Sequence, residues 1–115
     1  LYICSNNGGD MIVLMNEELK TLYETGKSRE YRDVERNPEL SRGFVRAVKI
    51  LTMAQSIQEI KAYSFLHYER LKYEWAGYSS VRLSNRNVHR LIFKEFEDRL
   101  EILIITIDDS HYGNK

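Results

Sequence analysis

The sequence runs I-I-T-I-D-D-S-H-Y close to its end, and four of those residues can do chemistry: Asp108, Asp109, His111 and Tyr112. An imidazole titrates near neutrality, so His111 is the best proton-transfer group among them. Asp108 or Asp109 could orient it or raise its basicity, and Tyr112 could hydrogen-bond a phosphate or stack on a base. A complementary set lies upstream. From Lys61 to Lys94 the cations are Lys61, Arg70, Lys72, Arg82, Arg86, Arg90 and Lys94, with only Glu69 and Glu74 against them. Within L-H-Y-E-R-L-K-Y-E-W-A-G-Y-S-S-V-R-L these cations alternate with Tyr68, Tyr73, Trp75 and Tyr78. Guanidinium and ammonium groups hold phosphates, and aromatic faces stack unpaired bases at roughly 1–3 kcal/mol per base. The pattern points to phosphate chemistry on a single-stranded nucleic acid. The plainer alternative is a small aromatic core ringed by solvated cations, and Tyr63, Phe65 and Trp75 are expected to belong to such a core.

Other chemistries find less support. The histidines stand at 67, 89 and 111, with no H-x-x-x-H pair and no second cysteine, so no metal site is expected. Gly8-Gly9 lacks the Lys-Ser/Thr of a phosphate loop. Cys4 stands alone, which forbids an internal disulfide and suits a reducing, cytoplasmic setting. No apolar run reaches the ~20 residues of a membrane helix, so no membrane partner is expected. With 17 basic and 17 acidic residues the formal net charge is zero. That argues against a general nucleic-acid binder and leaves the local concentration of cations as the signal.

These groups need a scaffold. At 115 residues the chain is one domain. Residues 1–10 read as a leader or an added segment, with the domain spanning residues 11–115. Met11 to Met15 is an apolar run expected to form a buried central strand. Asn16 caps a helix carrying Leu19, Leu22 and Tyr23 that stops at Gly26. Lys27 to Arg36 either extends that helix or forms a loop. Asn37-Pro38 opens a second helix with a core stripe of Leu40, Phe44, Ala47, Val48 and Leu51, ending near Ala54. Ser56-Ile57-Gln58-Glu59 resembles a capping box. Strands are expected at Tyr78–Leu83, Val88–Phe93 and Leu100–Ile107, with Glu95–Arg99 as a charged connector. Short connections favour an antiparallel meander, and early helices with late strands give an α+β class. Alternation places Tyr78, Ser80 and Arg82 opposite Val81 and Leu83. Arg90 alternates with Leu91, so the two arginines could share one face, joined by an anion or balanced by Glu95, Glu97 or Glu101.

Leu71-Lys72, Gly77-Tyr78-Ser79-Ser80-Val81-Arg82-Leu83, His89-Arg90-Leu91-Ile92-Phe93 and the closing I-I-T-I-D-D-S-H-Y together resemble the bacterial RelE/ParE toxin superfamily, nearest its HigB-like branch. The resemblance covers Leu66 to Tyr112. It implies a small antiparallel-dominated sheet packed against two N-terminal helices, and the toxin of a type II toxin–antitoxin system. The implied activity is that of a ribosome-dependent mRNA endonuclease, with the ribosome, mRNA and a cognate antitoxin, often a helix-turn-helix protein, as partners. Carried over position by position, Lys72, Arg82, Arg90, His111 and Tyr112 are the expected catalytic residues. Arg70, Arg86 and Tyr78 are the expected RNA contacts, and Asp108 and Asp109 the supporting carboxylates. The segment S-N-R-N-V-H lengthens the link between the two strand arginines, so Arg86 competes with Arg90 for the second position. No cofactor is implied: a base takes the ribose 2′-hydroxyl proton, cations stabilise the phosphorane and an acid protonates the departing 5′-oxygen. Two alternatives remain open. One is a ParE-like inhibitor of DNA gyrase without nuclease activity, and the other a non-enzymatic antitoxin-binding module.

Overall fold

The apolar run after Met11 and the apolar stretches beyond Tyr78 pair into one sheet, and the helices between them supply its cover. The structure, a computed structural model, describes residues 1–4, 11–96 and 98–109. In chain order the elements are β1 (Tyr2–Cys4), β2 (Ile12–Met15), α1 (Glu17–Thr25), α2 (Arg32–Arg36), α3 (Pro38–Met53), α4 (Ile57–Lys61), β3 (Glu69–Arg70), β4 (Tyr78–Arg82), β5 (Arg90–Phe96) and β6 (Glu101–Asp108). Single 3-10 turns sit at Ser64–Leu66 and Tyr73–Trp75. The sheet order is β1-β2-β6-β5-β4-β3. Every pairing is antiparallel except β2 with β6, which run parallel. The class is α+β, as the sequence led us to expect.

Local chemistry sets the helix limits. Asn16 accepts a hydrogen bond from the Leu19 N–H at 2.9 Å, and Gly26, left-handed at φ 77°, closes α1. Asn37 accepts from the N–H groups of Glu39 and Leu40 ahead of Pro38. Ser56 accepts from Glu59 at the start of α4. One face of α3 then buries Leu40, Phe44, Ala47, Val48 and Leu51 against Val13 and Met15 of β2, Val81 of β4, Leu91 and Phe93 of β5, and Ile102, Ile104 and Ile107 of β6. Each such large side chain contributes about 1.5–3 kcal/mol by leaving water. Gly43 lies in the same stripe. A Cβ there would sit 2.0 Å from the Leu83 carbonyl oxygen, so α3 rests directly on the backbone at the end of β4.

Several expectations change. Val13 and Met15 are buried but Ile12 is exposed, so β2 is covered on one face only instead of two. Tyr2–Cys4, within the segment read as a leader, pairs with β2 as an outer strand. Lys27 to Arg36 is a loop followed by the short α2. Strand β5 starts two residues later than expected and runs on to Phe96, because its ladder with β6 continues to the Phe96–Glu101 pair. The connector is therefore shorter than Glu95–Arg99. The two-residue strand β3 is too short to show any periodicity.

One irregularity aims the end of the sheet. Along β5 and β6 the pairing passes from Ile92–Thr106 to Phe93–Ile104, skipping Ile105. This bulge lets Ile104 and Ile107 both face the core although they are three residues apart. It also turns Asp108 to the opposite face, directly across from Arg90.

Candidate functional site

Arg82, Arg90 and Asp108 form a row across three strands, since Arg82 pairs with Arg90 and Arg90 with Asp108. Directly opposed residues share a face. Here it is the one turned away from Val81, Leu91 and Ile107, which join the core under the helices.

Arg90 is at the centre and only 9% exposed. Its Nε donates to the Ser80 hydroxyl at 2.7 Å, and one terminal nitrogen donates to the His67 carbonyl at 2.6 Å. The same nitrogen lies 3.6 Å from a Glu69 carboxylate oxygen. His67 adopts φ 49°, a strained conformation for a residue with a side chain. Glu69 comes from β3, paired with Ser80 of β4. Arg90 is therefore held rigidly and its charge is balanced by Glu69. Neither Glu95 nor Glu101 fills that role. Glu95 pairs with Arg70 and Glu101 with Arg99, while Glu97 lies outside the described residues.

Arg82 is different. Its Nε is buried without a hydrogen-bond partner, and among the described residues no carboxylate forms an ion pair with it. Arg82 and Arg90 are thus cross-strand neighbours on one face, the first with a buried donor that has no partner and the second fully engaged.

The other expected residues scatter. Lys72 is exposed just before the 3-10 turn at Tyr73–Trp75. Tyr78 pairs with Lys94 and packs edge-on against Trp75, ring centres 5.6 Å apart. Arg70 turns into a polar network in which its guanidinium reaches Glu95 at 3.3 Å and the Ser79 hydroxyl at 3.4 Å. In that network the Tyr68 hydroxyl donates to Glu95, and the Ser79 hydroxyl donates to the same carboxylate at 2.5 Å. Burial, reinforced by the Glu95 carboxylate, raises the Tyr68 phenol above its ordinary value and keeps it a donor. Arg86 occupies the turn between β4 and β5, with an 85% exposed side chain 3.8 Å from Glu39 of α3. Of the two competing arginines, Arg90 is the one facing Arg82. Asp109 is exposed beside Asp33 and His89. His111 and Tyr112 lie outside the described residues.

Glu69 was missed from sequence. It is the carboxylate the fold brings to Arg90, and its side chain is 53% exposed. Its only signal is its position in E-R-L-K, two residues before Leu71.

No family model and no curated protein matches this chain. Solved structures are similar. The YoeB dimer from Staphylococcus aureus aligns at TM-score 0.50 and 19% identity, over 90% of this chain and 100% of that one. A YoeB/ParE toxin from Agrobacterium tumefaciens gives TM-score 0.49 and 17% identity, over 86% and 98%. The YoeB–YefM toxin–antitoxin complex from Staphylococcus aureus gives 0.47 and 19%, over 89% and 98%. The chain thus has a YoeB-like α+β fold.

Proposed function

We propose that this protein is the toxin of a type II toxin–antitoxin system and cleaves mRNA on the ribosome through its own acid–base side chains. Within the superfamily the sequence motifs resemble the HigB-like branch. The observation that carries the proposal is the pairing of Arg82, whose Nε has no partner, across the strands from the anchored Arg90, which the half-exposed Glu69 reaches. A phosphodiester seated on Arg82 and Arg90 brings its ribose within reach of a carboxylate. Glu69 or His111 takes the 2′-hydroxyl proton, and the 2′-oxygen attacks the adjacent phosphorus. The arginines stabilise the negative phosphorane. His111 or Tyr112 returns a proton to the departing 5′-oxygen. The products are a 2′,3′-cyclic phosphate and a 5′-hydroxyl. Asp108, opposite Arg90, supports this arrangement. Lys72 and Tyr78 lie upstream on the chain as contacts for flanking nucleotides.

The partner would be a cognate antitoxin, of helix-turn-helix type in the HigB-like branch. Its inhibitory segment would combine acidic and apolar residues. The outer side of α3 suits such a segment: Val45, Ile50 and Met53 line a groove of about 410 Å³ rimmed by Arg42, Arg46 and Lys49. Among the described residues no helix is long and apolar enough to cross a membrane.

The test is a translating extract supplied with wild-type protein, Arg82→Ala and Glu69→Gln. Wild type should cut mRNA and leave cyclic phosphate ends, and both variants should lose that activity. Full cleavage by both would remove the site. Gyrase inhibition without RNA cleavage would replace the proposal with the ParE-like alternative. Growth arrest unaffected by co-expressing the adjacent open reading frame would dismiss the antitoxin.

A further inference from the structure

A second cluster lies where α2 meets the ends of β5 and β6. Asp33 is in the first turn of α2, His89 immediately precedes β5, and Asp109 immediately follows β6. One ligand atom from each lies within 4.8 Å of the other two. The His89 Nε2 is 2.5 Å from a carboxylate oxygen of Asp33. The imidazole side chain is 13% exposed, so packing holds the ring while both carboxylates reach solvent. No spacing in the sequence links positions 33, 89 and 109.

We propose that Asp33, His89 and Asp109 form a binding site for a first-row transition dication, zinc by preference, that ties α2 to the ends of β5 and β6. Two carboxylates converge on one point beside a ring nitrogen, an arrangement a dication would balance. One imidazole nitrogen with two carboxylate oxygens is a donor set zinc accepts, leaving a fourth position for water. Magnesium and calcium favour sets made of oxygen alone, so the histidine discriminates against them. Binding through Nε2 moves the ring proton to Nδ1, which is buried and has no acceptor among the described residues. That cost weakens the binding. The cleavage proposed above routes no proton through these three residues, and because Asp109 neighbours His111 in the chain the site is tested by metal binding and not by activity.

The experiment uses the full chain, stripped with a chelator and titrated with zinc chloride or magnesium chloride. Calorimetry and thermal melting are the readouts. Zinc should bind one per chain and raise Tm by a few degrees, and magnesium at the same concentration should do neither. Asp109→Asn, at an exposed position that does not threaten folding, should weaken zinc binding roughly tenfold or more. His89→Gln should do the same, and Glu74→Gln, an exposed acid elsewhere, should behave as wild type. Zinc binding that survives Asp109→Asn unchanged, or wild-type protein indifferent to zinc, would overturn the proposal. Mutant mRNA cleavage in chelator reports on the nuclease alone.

Discussion

The contrast between Arg82 and Arg90 yields the sharpest prediction, because adjacent residues of one type should respond to alanine in opposite ways. Arg90→Ala removes charge-assisted hydrogen bonds to Ser80 and the His67 carbonyl, and leaves the buried Ser80 hydroxyl without that donor. Bonds to a charged group are each worth about 1.5–3 kcal/mol, and the two share one side chain, so a loss of about 3 kcal/mol is expected. Arg82→Ala removes a buried nitrogen that has no partner. Relief of that unsatisfied donor, about 1–3 kcal/mol, offsets the lost packing of the aliphatic stem, about 1–2 kcal/mol. Stability should stay within about 1 kcal/mol of wild type. Activity should fall with either arginine, but for Arg82 without a loss of stability. If Arg82 meets the phosphate in the transition state, its loss costs about 2.7–4 kcal/mol of barrier, or a hundred- to a thousandfold in rate. Urea unfolding measures the first quantity and single-turnover cleavage of ribosome-bound message the second. An Arg82→Ala protein that is strongly destabilised, or folds well and cuts at the wild-type rate, refutes the division of roles. So does an Arg90→Ala protein as stable as wild type.

Other outcomes follow from the same geometry. Glu69→Gln, at a half-exposed position, should slow single-turnover cleavage of ribosome-bound message. Gly43→Ala should destabilise by about 1–3 kcal/mol in urea unfolding, since a backbone clash at Leu83 outweighs the roughly 1 kcal/mol gain in helix propensity. A Gly43→Ala protein more stable than wild type would mean that α3 does not rest on β4 as described. Burial raises the phenols of both Tyr31 and Tyr68 above their ordinary value. Their protonated forms thus favour the folded state: that stability is fully present below about pH 10 and is lost as pH rises through the raised folded values. Alkaline melting curves should show this fall, and Tyr68→Phe should blunt it. Tyr68→Phe should also cost about 1 kcal/mol at neutral pH through the lost bond to Glu95.

The helices were legible because their signals are local. Asn16, Gly26, Asn37-Pro38 and Ser56 act within one turn of where they stand, and the stripe from Leu40 to Leu51 needs only the helical period. The shared face of Arg82 and Arg90 was legible for a similar reason: alternation beside Val81 and Leu91 sets it in each strand separately. What could not be read depends on partners remote in sequence. The parallel joining of β2 to β6 leaves no local mark. The bulge at Ile105 follows from two strands in register, not from either alone. Arg70 looks like Arg82 in sequence, yet β3 turns it onto Glu95 while Glu69, its neighbour, reaches Arg90. Asp33 and His89 carry no hint of each other until α2 folds over the sheet.

The place of β6 between β2 and β5 has a consequence for biosynthesis. The first strand in the interior of the sheet must wait for residues 101–108 before it gains its parallel neighbour, and β5 waits for the same segment. A nascent chain stopped before Glu101 would hold its helices against an incomplete sheet, with the edges of β2 and β5 unpaired and open to aggregation. Arg90 would then lack Asp108 across from it. The sheet, and with it the row of Arg82, Arg90 and Asp108, thus stays unassembled until residue 108 has been made.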